Sequence, residues 1–78
     1  MRYQLDLTLR RAEGALLRVL GTAERRGFTP LSVDGEAQPD GDRWHLRMTV
    51  EGERGEHVLQ QQLSRLHDCL AVQVRPCP

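Results

Sequence analysis

Tyr3, Leu5, Leu7 and Leu9 alternate with Gln4, Asp6, Thr8 and Arg10. Period two predicts a strand with one buried face. From Ala12 the period lengthens. Ala12, Ala15, Leu16, Val19, Leu20 and Ala23 recur at helical spacing and form one stripe, with Arg18 and Arg25 facing away. This helix ends at Arg25-Arg26-Gly27, where basic residues suit the helix dipole and glycine suits the C-terminal turn. Gly14 and Gly21 fall inside the predicted helix, where glycine costs roughly 1 kcal/mol against alanine. Gly21 is read as a point of close packing on a sheet.

Phe28 restarts the apolar pattern, and Thr29–Val33 reads as a second strand. Pro30 is tolerable there only near the strand start or on a sheet edge. Asp34–Asp42 contains two Asp-Gly pairs and reads as a hairpin connection. Trp44, Leu46, Met48 and Val50 then alternate with His45, Arg47, Thr49 and Glu51, a third strand. Val58, Leu59, Leu63 and Leu66 return to helical spacing and predict a helix from Glu56 to His67, with Gln62 the polar interruption of its stripe. Leu70, Val72 and Val74 alternate with Ala71, Gln73 and Arg75, a fourth strand closed by Pro76 and Pro78.

The order is β-α-β-β-α-β in one domain, residues 1–78. Each strand has one apolar face, so helices cover the sheet on one side. Right-handed crossovers then give an α+β, ferredoxin-like two-layer sandwich, with an antiparallel sheet ordered 4-1-3-2. Strands two and four are its edges.

Charge changes the picture next. Eleven Lys+Arg balance 11 Asp+Glu. Nucleic-acid binders carry a basic excess, because phosphate neutralisation supplies much of their affinity. No nucleic acid is expected as partner. Near-zero net charge favours association, and so does a thin core with 38% hydrophobic residues and one each of Phe, Trp and Tyr. No apolar run approaches the roughly 20 residues that span a bilayer, so no membrane is expected and the cytoplasm is the expected location. Cys69 and Cys77 match no zinc or redox spacing and read as one partly buried small residue and one near the chain end.

The fold leaves function open. An RNA-recognition domain would place aromatic residues on the open sheet face. That face should carry Asp6, Thr8, His45, Arg47, Thr49, Gln73 and Arg75, while Tyr3 and Trp44 have inward parity. A soft-metal chaperone would need a cysteine pair in the first strand–helix loop. That loop is Arg-Arg-Ala-Glu-Gly, and His45, His57 and His67 are scattered. An acylphosphatase-like hydrolase would need a glycine-rich anion cradle and a positioned water. Arg10 and Arg11 before a helix N-terminus would attract an anion, but no nucleophile–base pair accompanies them. No catalytic residue, metal site or cofactor is expected.

A resemblance carries the reading further. The segments GALLRVLGTAERRGFTPLSV and LQQQLSRLHDCLAVQV resemble the ACT domain of acetolactate synthase small subunits. Gly14, Ala15, Leu16, Arg18 and Val19 match the first motif of that family. Arg26, Gly27 and Phe28 match the second; Gln62, Leu63, Arg65, Leu66 and Asp68 approximate the third. The resemblance implies a homodimer through the second strand. It implies a small amino-acid effector between the loop Arg11, Ala12, Glu13, Gly14 and Ala15 of one chain and Thr29, Pro30, Leu31 and Ser32 of the other. It also implies a large catalytic acetolactate synthase subunit as partner. That partner would hold thiamine diphosphate, magnesium and flavin, and this chain none. Two asparagines expected of effector-binding members are here Arg11 and Thr29, and the expected isoleucine is Pro30. Asparagine offers a donor and an acceptor, arginine donors only. With the chain stopping at Pro78, these departures resemble the short, valine-insensitive type of small subunit.

Overall fold

The computed structural model describes residues 1–39 and 41–77. Asp40, from the second Asp-Gly pair, and Pro78 lie outside the described residues. The elements run β1 (Arg2–Arg10), α1 (Ala15–Arg25), β2 (Thr29–Ala37), β3 (Arg43–Glu51), α2 (Glu56–Ser64) and β4 (Cys69–Pro76). The four strands form one sheet in the order β2-β3-β1-β4, with every neighbouring pair antiparallel. This is the expected ferredoxin-like arrangement read from the other edge.

One face of the sheet carries the core. Leu5, Leu7 and Leu9 of β1 and Leu46, Met48 and Val50 of β3 are fully buried against Val19 and Ala23 of α1 and Leu59 and Leu63 of α2. Tyr3 meets Phe28 edge-on, ring centroids 6.1 Å apart, and its hydroxyl donates to the Arg54 carbonyl at 3.1 Å. The polar positions of the strands line the opposite face. There Asp6 lies near Arg47 at 3.4 Å, near His45 at 3.6 Å, and against Arg75.

Three element boundaries and the role of Gly21 differ from the sequence reading. The first helix starts at Ala15, not Ala12. Gly14 precedes it in the left-handed region, φ 77°, which only glycine enters freely. Ala12 is therefore exposed and belongs to the loop, not the buried stripe. A Cβ on Gly21 would meet the Arg25 guanidinium at 3.1 Å, so that glycine does not mark close packing on the sheet. The second strand runs on to Ala37, because Asp34 and Gly35 pair with Arg47 and Leu46; the reversal sits around Gly41 instead, φ 80°. The second helix stops at Ser64, three residues short of His67.

Both edge strands carry an extra residue. In β4, Thr8 faces Ala71 while Leu9 faces Cys69. This bulge turns Leu70 outward, 40% exposed, and brings Cys69 against the core in its place. Burial pushes the Cys69 thiol above its ordinary range. In β2, Pro30 faces Val50 and Ser32 faces Thr49, leaving Leu31 as the extra residue.

Candidate functional site

The loop between β1 and α1 is built by short-range geometry. The Ala12 N–H returns to the Arg10 carbonyl at 2.8 Å, and the Ala15 N–H to the Ala12 carbonyl at 3.1 Å. Gly14 then turns the chain into α1. The first N–H groups of a helix have no partner within it and carry the positive end of its dipole, so this loop directs donors outward beside the end of β1.

Beside it lies a cavity of about 370 Å³. Arg11, Ala12, Gly14 and Ala15 of the sequence-predicted loop line it, together with Leu9, Arg10, Leu16, Leu17 and Trp44. Its walls are mainly apolar. Trp44 and Leu17 were not among the predicted site residues. Inward parity on β3 was the available signal for Trp44, whereas nothing in the stripe marks Leu17, which is 74% exposed on α1.

Glu13 does not line the cavity. Its carbonyl accepts from Arg18 Nη2 at 2.7 Å, and the same side chain donates from Nε to Asp68 Oδ2 at 2.7 Å. The Arg18 guanidinium also forms an ion pair with Asp68, one of the two buried polar side chains among the described residues. To reach both partners the guanidinium crosses Gly14. A Cβ there would sit 2.9 Å from Arg18 Nη1. Gly14 therefore serves the loop twice, by its left-handed φ and by leaving room for this clamp.

Arg11, standing where an amide was expected, is occupied. Its Nη1 donates to the Gly41 carbonyl at 2.7 Å and its N–H to the Asp42 carbonyl at 3.1 Å. The loop is thereby tied to the β2–β3 turn.

The second half of the predicted site lies elsewhere in the chain. Thr29 pairs with Glu51, and Glu51 with Arg2 at the start of β1, whereas the loop follows the end of β1. Thr29, Pro30, Leu31 and Ser32 are thus at the opposite end of the sheet, and none of them lines the cavity. The structure brings the loop residues together and does not bring the β2 residues to them within one chain.

Among the described residues, no helix is long and apolar enough to cross a membrane. A comparison with curated proteins found no match. Among solved structures, the chain superposes on formyltetrahydrofolate deformylase from Burkholderia mallei ATCC 23344 with a TM-score of 0.75 and 14% identity. That match covers 97% of this chain and spans 28% of the deformylase chain. The C-terminal domain of the MgtC protein from Mycobacterium tuberculosis matches with a TM-score of 0.68 and 13% identity, over 94% of this chain and 83% of that one. Identities this low speak for the fold alone. The model of the ACT domain family matches residues 11–72, from the loop just described to the middle of β4. The loop, the clamp across Gly14 and most of the sheet fall inside that match, and the chain belongs to the ACT domain family, a regulatory, small-molecule-binding module.

Proposed function

We propose that this chain is a non-catalytic regulatory subunit that binds and activates the large catalytic subunit of acetolactate synthase in the cytoplasm. One observation carries the reading. Pieces of the small-subunit resemblance that lie far apart in sequence meet in space: Gly14 and Arg18 from the first motif, Asp68 from the third. A chance match of short motifs has no reason to converge on one buried carboxylate.

Activation would be a population shift, through contacts made better with the competent state of the large subunit. Valine feedback would be weak. Arg11 is engaged with Gly41, and each polar group of a bound amino acid left unmatched costs about 1–3 kcal/mol. The chain would pair with a second copy along β2. Pro30 and the bulge at Leu31 splay the strand's start, where an effector contact would lie, and Ser32–Ala37 continues as a regular edge. The test is reconstitution. Adding the chain to purified large subunit should give a complex on sizing and a rise in activity; neither occurring refutes the proposal.

A second reading, an ACT module that senses an amino acid for another partner, is favoured by the cavity, whose size falls in the range of small-molecule pockets. Calorimetry with a panel of amino acids separates the two. Binding abolished by Gly14→Val would support the sensor.

A further inference from the structure

Arginines in the sheet are matched with acids at every position but one. Arg2 faces Glu51 across β1 and β3, with Nε 3.8 Å from Oε1. Arg47 faces Asp6 in the same ladder, and Arg75 reaches Asp6 from β4. At the far end of this ladder the rule fails: Arg10 faces Arg43. Like charges directly opposite each other destabilise a sheet, and neither arginine has a carboxylate partner among the described residues. The next residue, Arg11, adds a third guanidinium.

These three arginines border a cavity of about 310 Å³ together with Asp42 and the outward-turned Leu70. Arg10 and Arg11 line both this cavity and the apolar one beside α1. The two spaces lie on either side of the strand end, and their characters differ. We infer that the Arg10–Arg43 end of the sheet is a binding site for a small-molecule oxyanion, held by the opposed guanidinium groups. Planar guanidinium forks match phosphate and carboxylate oxygens two at a time, and an anion between Arg10 and Arg43 converts their repulsion into attraction. This site lies beside the apolar cavity, sharing Arg10 and Arg11 with it, and does not depend on which enzyme the chain serves.

The test is calorimetry on the full chain with inorganic pyrophosphate, with malonate as the carboxylate arm and sodium chloride at matched ionic strength as control. Pyrophosphate should bind beyond the chloride effect, and Arg43→Gln and Arg10→Gln should each weaken it about tenfold, the loss expected for a charged hydrogen bond. Arg47→Gln, which leaves the pair intact, should not. Malonate binding instead, with the same dependence, supports the site and assigns it to carboxylates. A second measurement guards against variants that merely perturb the fold. Without anion and at low salt, Arg43→Gln should raise the melting temperature, because it removes one of two opposed charges. No binding beyond chloride, or binding undiminished in both variants, overturns the inference.

Discussion

The two edges of the sheet are guarded differently. On β4, α2 supplies a side chain that stands in for a neighbouring strand. Gln60 donates from Nε2 to the Val72 carbonyl at 2.9 Å, and its Oε1 accepts from the Val74 N–H at 3.1 Å. These groups point away from β1, so the amide closes the middle of that edge. The start of β4 is pinned as well: the Asp68 carbonyl accepts from the Arg10 N–H at 2.7 Å while its carboxylate is held by Arg18. On β2, Pro30 and the bulge at Leu31 interrupt the first residues, but from Ser32 onward no side chain caps the strand among the described residues, and Leu31 and Val33 are 44% and 43% exposed. Unpaired edges invite a second chain. One fold therefore has one closed edge and one open edge, and the open one, β2, is where the proposed pairing with a second copy would form.

The largest expected effect tests the open edge. Replacing Leu31 and Val33 together by lysine should weaken self-association about a hundredfold, roughly 2.7 kcal/mol, by placing charge where apolar area would be buried. Sedimentation over a concentration series reads it. Unchanged association would move the interface elsewhere.

Next comes the pin at the start of β4. Arg18→Met should destabilise the chain by about 2 kcal/mol in urea. This is less than the ~3–5 kcal/mol of a fully buried pair, because Arg18 is half exposed. It should also loosen the loop whose Glu13 carbonyl Arg18 holds.

Gln60→Leu should cost about 1–2 kcal/mol, since it strips the Val72 carbonyl and the Val74 N–H of their partner. The sharper readout is new self-association that persists in the Leu31/Val33 double lysine variant. Such association would show that the amide is what closes the β4 edge.

The smallest effect is in hydrogen exchange. In dilute protein the Val74 amide should exchange more slowly than the outward amides between Ser32 and Ala37. Raising the concentration should protect the β2 amides and leave Val74 unchanged. Equal protection at both edges would erase the comparison.

Much of this architecture was legible in the chain. The alternation in β1 and β3 set which residues face inward, because a strand's side-chain period is two and tolerates no slip without exposing the core. The edge strands were less legible, and for the same reason. A single extra residue at Leu70 exchanges the faces of Leu70 and Cys69, and no local preference announces it. Asp34-Gly35 carried a strong turn signal and still became strand, because nine consecutive residues of β3 offered it a partner. Gly14 looked like a flaw inside a helix and is the residue that starts it.

What the sequence determined by itself is the order of elements and the inward face of the central strands, since these follow from periodicities along a single chain. What only the tertiary structure decided are the meetings between distant residues: Arg18 with Asp68 across Gly14, Gln60 with the outer edge of β4, and Arg10 opposite Arg43. Each depends on register and on the reach of a long side chain. Neither is written in any one stretch of sequence, and both are set when the strands and helices pack on one core.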